Sequence, residues 1–202
     1  MLHKYTQEEF DKLPVEDGVK ICPAGDYTAI KSFGEACSFG EACNFGKGCS
    51  FGAGCSFGEG CSFGEACSFG EGCSFGAGCR FGEVCSFGER CSFGEWCRFG
   101  EGCSFGAGCS FGEGCSFGEA CKCEFGSFQK MLTCGGFGRF QRTTYFFQCG
   151  DTIFVRCGCF RGTLDEWKEA VSKTHGDSKI AQAYLTIAKA VELQWEEPYA
   201  CM

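Results

Sequence analysis

The sequence predicts a mainly β protein, a solenoid of short parallel strands followed by a small α+β domain. Three observations carry this. A cysteine recurs every six residues from Cys37 to Cys121, 15 times without a gap. A Phe-Gly pair keeps the same period from Phe33-Gly34 to Phe117-Gly118. Both patterns stop near residue 122, where the composition changes. With 33 Gly, 24 Phe and 22 Cys against 3 Pro, the chain is far from average usage, and the bias is that of a repeat.

The repeating unit is Phe-Gly-Glu-(Gly/Ala)-Cys-Ser. A period of six fits neither an amphipathic helix nor a heptad, but it suits short strands in which Cys and Phe, two apart, project to the same side. Both residues are therefore expected inside. The glycines are expected at bends, where positive φ and close backbone approach carry little steric cost.

The unit Phe33-Gly34-Glu35-Ala36-Cys37-Ser38 resembles that of the hexapeptide-repeat, left-handed β-helix family: a bulky apolar residue, a small one, two variable positions, a small residue and one variable position. The resemblance covers residues 32–122. It implies a left-handed parallel β-helix of about five triangular coils, three hexapeptides to a coil, with residues eighteen apart stacked about 4.8 Å from one another. Phe33, Phe51, Phe69, Phe87 and Phe105 would form one ladder. Phe39, Phe57, Phe75, Phe93 and Phe111 would form the second, and Phe45, Phe63, Phe81, Phe99 and Phe117 the third. The departure is Phe where the family usually has Ile, Leu or Val, which implies a wider core of stacked rings balanced by the small Cys.

The ends of such a coil need covering, because they offer unpaired strand edges and exposed apolar core. Residues 1–31 read as an N-terminal cap, with Phe10, Leu13, Val15, Val19, Ile21 and Ile30 among polar residues. Residues 123–202 read as a small α+β capping domain. Phe128 to Cys134, Arg142 to Cys149 and Thr152 to Cys159 are predicted strands, separated by turn residues Gly135-Gly136 and Gly150-Asp151. Thr163-Leu-Asp-Glu166 is a capping box opening a helix through Leu164, Trp167 and Val171 to about His175-Gly176. A second helix from about Asp177 carries Ile180, Tyr184, Ile187 and Val191 on one stripe. This tail loosely resembles the tails of uncharacterised repeat proteins encoded by bacteriophages and gut bacteria, which implies a phage or prophage accessory protein and no particular activity.

The formal charge of −8 divides into −3 for residues 1–30, −5 for residues 31–122 and zero for residues 123–202. An acidic solenoid is repelled by phosphate backbones and anionic lipid, so neither direct nucleic-acid binding nor membrane binding is expected. The segment Met1 to Phe10 lacks the apolar core of a signal peptide, and no apolar run is long enough to span a bilayer. A cytoplasmic protein is expected, its cysteines reduced and serving as small buried apolar groups.

Many hexapeptide β-helix proteins are acyltransferases with a His between coils as general base. Here no His lies between His3 and His175, and no unit is interrupted by a long loop, so the chain is expected not to be an enzyme. Cys123, Cys134, Cys149, Cys157 and Cys159 offer thiolates, but Cys157-Gly-Cys159 is a poor zinc spacing, and no cofactor is expected. Glu fills the third position in 11 of the 15 units, the exceptions being Lys47, Ala53, Ala77 and Ala107. These stacked glutamates either keep the protein soluble or imitate phosphates.

The candidate binding residues are those that break the repeat. Arg80, Val84, Arg90, Trp96 and Arg98 all replace Ser, Gly or Ala within about one coil. Exposed Trp beside Arg combines apolar area, cation–π contact and charge-assisted hydrogen bonds, the composition of an interface hot spot; drift on a tolerant surface is the alternative. The expectation is a non-enzymatic binding or inhibitor protein with a protein partner, in line with a phage-encoded counter-defence role, homo-oligomers being allowed. The rivals are an acyltransferase with an unrecognised site and a self-assembling structural rod.

Overall fold

The computed structural model describes residues 2–137 and 142–196. The chain divides into two compact units, Met1–Ser127 and Phe128–Met202. The first unit takes in residues 1–31 together with the repeat, and the division between the units falls after Ser127.

The first unit is a parallel β-solenoid with three faces. One face stacks Ser32–Phe33, Ser50–Phe51, Ser68–Phe69, Ser86–Phe87, Ser104–Phe105 and Lys122–Cys123. The second stacks Val19–Cys22, Cys37–Phe39, Ser56–Phe57, Ser74–Phe75, Ser92–Phe93 and Ser110–Phe111. The third stacks Asn44–Phe45, Ser62–Phe63, Arg80–Phe81, Arg98–Phe99 and Ser116–Phe117. Within the repeat, strand partners lie eighteen residues apart in register, Phe63 with Phe81 and Phe81 with Phe99 among them, so one coil spans three units.

The alternation Cys-x-Phe explains why both residues turn inward. The repeat phenylalanines from Phe33 to Phe111 and the repeat cysteines from Cys37 to Cys109 are buried. Rings stack along each ladder, as Phe63 does on Phe81 at 4.9 Å and 3°, and meet rings of the neighbouring faces edge-on, as Phe75 meets Phe81 at 5.0 Å and 88°. Both geometries suit the ring quadrupole, so each Phe combines burial with favourable contacts on several sides.

The two glycines of the unit have different causes. The one after Phe lies against the preceding coil: a Cβ on Gly82 would stand 2.6 Å from the backbone nitrogen of Glu65. The other sits at the bend with positive φ, +69° at Gly78, in open space. Only the first position is confined by backbone, from Gly40 onward, and it is Gly in all fifteen units.

The coil count rises to about six turns, because the N-terminal segment adds one. Lys20, Ile21 and Cys22 pair in parallel with Cys37, Ser38 and Phe39, so Cys22, not Ile21, stands in the ring position. Tyr27 stacks on Phe45 at 5.6 Å, and Tyr5 on Tyr27 at 4.6 Å, extending the third ladder. Helix α1, Gln7–Asp11, opens with a capping box between Thr6 and Glu9 and places Phe10 edge-on to Phe33. Of the expected cap residues Phe10 and Ile30 are buried, whereas Val15 is exposed.

The second unit has four antiparallel strands, Lys130–Phe137, Arg142–Cys149, Thr152–Cys157 and Phe160–Thr163. The strand expected to run to Cys159 breaks at Gly158, whose φ of +60° makes a turn and leaves room for a fourth strand. Helix α2, Leu164–His175, begins with the expected Thr163–Glu166 capping box. Helix α3, Lys179–Glu196, buries Ala181, Tyr184, Ala188 and Val191, while Ile180 is exposed. These pack with Phe146, Val155, Leu164, Trp167 and Val171 into one core.

Candidate interaction face

The unit places its sixth residue outward on each strand. On two faces the outward column is Ser from Ser50 to Ser104 and from Ser38 to Ser110. On the third it reads Asn44, Ser62, Arg80, Arg98, Ser116, all in register. Arg80 and Arg98 are thus direct neighbours on adjacent coils, and both are exposed.

Two other predicted site residues flank this face. Trp96 sits in the bend entering Arg98–Phe99, and Val84 in the bend leaving Arg80–Phe81. They are 62% and 59% exposed, values that belong to surface residues rather than to core. Each holds the positive-φ position, 60° for Trp96 and 51° for Val84. A β-branched residue there is a true outlier and costs about 1 kcal/mol where Gly would cost little. Space is available because the residue one coil later is Gly: the Trp96 ring lies over Gly114, and Val84 leans toward Gly102.

Arg90 does not join them. It occupies the bend between Ser86–Phe87 and Ser92–Phe93, on the edge between the other two faces, and forms an ion pair with Glu71 of the preceding coil. Lys47 and Glu65 make an equivalent cross-coil pair at 2.8 Å. Arg80 and Arg98 thus share one face, Trp96 and Val84 stand on its two opposite edges, and Arg90 is a cation on the remaining edge, held by the acidic ladder.

Those ladders run along the solenoid edges. Glu65, Glu83, Glu101 and Glu119 follow the strands of the third face, and Glu41, Glu59, Glu95 and Glu113 precede them, interrupted by Ala77 beside Arg80. The acidic rails bordering the face were legible as a spacing of eighteen, once the three-unit coil was taken as given.

The thiols make three interior columns. From Cys43 to Cys121 each Sγ meets a backbone carbonyl of the preceding coil, Cys79 that of Gly58 at 3.5 Å and Cys97 that of Gly76 at 3.4 Å. Hydrogen bonds between successive thiols raise the pKa of Cys73, Cys79 and Cys85 and lower that of their neighbours Cys55, Cys61, Cys67, Cys97 and Cys103, while burial disfavours the thiolate at every one of them. In the second unit the Thr144 hydroxyl donates to Cys157 Sγ at 3.2 Å, while Cys134 and Cys149 are partly buried and Cys159 is exposed. The 21 cysteines among the described residues are free thiols. His3 pairs with Glu9, and His175 ends α2 near Tyr184.

A family profile for RNA-binding, Nab2-type zinc fingers matches residues 48–64, 66–82, 79–94, 85–100 and 96–118, together less than half of the chain. The residues do not fit the metal. That stretch contains no His, and its cysteines lie in the solenoid interior bonded to carbonyls. Among the described residues no three His, Cys, Asp or Glu side chains are grouped to hold a metal ion. No curated protein matches the chain, and no solved structure does. No helix among the described residues is long and apolar enough to cross a membrane.

Proposed function

We propose that this chain is a non-enzymatic protein-binding module, an inhibitor or scaffold, that presents the third solenoid face to a protein partner in the cytoplasm. The finer reading is a left-handed hexapeptide-type coil from a phage-encoded counter-defence protein. The observation that supports binding is the concentration of Arg80, Arg98, Trp96 and Val84 on one face and its two edges, in a repeat whose outward positions are otherwise mostly Ser, Glu, Gly and Ala. Two of these side chains also accept backbone strain that the default Gly would avoid, and strain of this kind collects at functional sites. A rigid, ladder-bonded backbone holds the groups in place, which lowers the ordering cost of association.

The test is a binding isotherm for a partner isolated from host lysate, measured with Trp96→Gly and with Glu59→Ala. Gly is the commonest residue at the Trp96 position, so melting should shift by no more than the equivalent of about 0.5 kcal/mol. Binding should weaken by about 2 kcal/mol or more for Trp96→Gly and much less for Glu59→Ala. Equal, small losses would remove this face from the function.

A further inference from the structure

We infer that the third face takes an acidic peptide segment of its protein partner, laid along the solenoid axis, with carboxylates on Arg80 and Arg98 and an apolar side chain against Trp96. The inference rests on the reading of this face as a binding surface and adds the chemistry of what is bound.

The four cations between Phe33 and Cys121 fall into two kinds. On the edges, Lys47 and Arg90 are each paired with a glutamate of a neighbouring coil. On the face, neither the Arg80 nor the Arg98 side chain has a hydrogen-bond or ion-pair partner among the described residues. Yet these two are locked side by side in strand register, about 4.8 Å apart at their roots. Like charges directly opposite one another in a sheet destabilise it, so the arrangement has an electrostatic cost that a bound anion removes. Ala77 takes the place of Glu in the bend that leads into Arg80, which clears one internal carboxylate from the site.

The surroundings select among anions. The rails Glu65, Glu83, Glu101 and Glu119 on one side, and Glu59, Glu95 and Glu113 on the other, border the arginines. A polynucleotide carries charge along its whole length and meets repulsion from both rails, on a chain of net charge −8. A peptide segment places its charge locally. In an extended peptide, side chains two apart on one side lie about 6.6 Å from each other, within reach of two long arginines. Each guanidinium can then engage a carboxylate through paired N–H donors. The exposed Trp96 ring at the border offers the apolar contact that a purely ionic site lacks.

The test uses the full chain and three probes: a capped Gly-Asp-Gly-Asp-Gly-Phe-Gly peptide, in which both carboxylates and the ring project to one side, its Gly-Asn-Gly-Asn-Gly-Phe-Gly counterpart, and a thymidine decanucleotide. Arg80→Ser combined with Arg98→Ser restores the residue found at Ser62 and Ser116, and the single variants serve if the double one fails to fold. By NMR titration the acidic peptide should shift the Trp96 indole and arginine side-chain signals. The double variant should bind it at least tenfold more weakly, and the Asn peptide should bind no better than that. Absent or unchanged binding of the acidic peptide overturns the inference, as does tighter, Arg-dependent binding of the decanucleotide. A loss on Trp96→Gly without a loss on the double variant overturns the carboxylate pairing and leaves the binding face standing. No loss on either variant removes both.

Discussion

Alanine substitutions at Gly82 and at Gly78, four residues apart in one coil, should have very different costs. On Gly82 the new methyl would stand 2.6 Å from the Glu65 nitrogen, 2.7 Å from the Gly64 carbonyl carbon and 2.9 Å from the Glu65 Cα. All three are backbone atoms of the preceding coil, so no side chain can rotate aside. Relief requires the coils to separate there, weakening the Gly82 N–H to Phe63 carbonyl bond of 3.0 Å and disturbing the Phe63–Phe81 stack. Overpacking at about 1–3 kcal/mol and a strained backbone hydrogen bond at about 1 kcal/mol sum to about 3 kcal/mol. On Gly78 the methyl meets nothing within 4 Å, and the charge is the left-handed φ alone, about 1 kcal/mol. Ala already occupies that position with positive φ at Ala36, Ala42 and Ala66. Urea denaturation followed by circular dichroism, with both variants fitted to a common slope, measures the difference. Equal costs, or a greater cost at Gly78, would refute close coil approach as the reason for the Phe-Gly pair.

Three further outcomes follow from the same geometry. Phe75→Ala should cost about 4 kcal/mol in a denaturant melt, because Phe75 is buried and stacks on Phe57 at 4.8 Å and Phe93 at 4.9 Å; a cost under about 1 kcal/mol would contradict the ladder. Thiol titration of denatured, unreduced protein should find most of the 22 cysteines free, while the native protein should react rapidly only at exposed thiols such as Cys159; a majority of disulfides would contradict the reduced columns. In the second unit, hydrogen bonding to Glu192 raises the Lys168 pKa above its ordinary value. The stability from that pair is fully present below the unfolded lysine value, about 10.4, and is lost as pH rises through the higher folded value. Glu192→Gln should therefore cost about 1 kcal/mol at pH 8, with the difference closing in strongly alkaline solution; a pH-independent difference would exclude the pair as its source.

The repeat was legible because its spacing has one cause at each position. Cys and Phe two apart fix an inward face, and a partner eighteen residues away fixes the ladders, as Phe63, Phe81 and Phe99 show. The extra turn was less legible for a physical reason. Tyr27 lies eighteen before Phe45 and could have been counted into its ladder, but Cys22 reaches the ring position opposite Phe39 through a register one residue out of step. The two glycines looked alike in sequence and differ in cause, which requires knowing the atoms of the neighbouring coil. For the site, the stacking of Arg80 on Arg98 and the proximity of Trp96 followed from spacing alone. That Arg90 stands on another edge follows from the same spacing, since Val84, Arg90 and Trp96 are six apart and occupy the three bends in turn, but its ion pair with Glu71 required the coordinates. The fourth strand of the second unit was hidden by Cys157-Gly-Cys159, which reads as continuous strand until Gly158 adopts positive φ.

The most direct test of the interaction face is a hydrogen-exchange footprint of the intact chain with and without its isolated protein partner. Protection should concentrate on the bends and strands that carry Arg80, Val84, Trp96 and Arg98, with the serine columns from Ser50 to Ser104 and from Ser38 to Ser110 unchanged. Protection confined to the serine faces or to residues 128–196 would contradict the account.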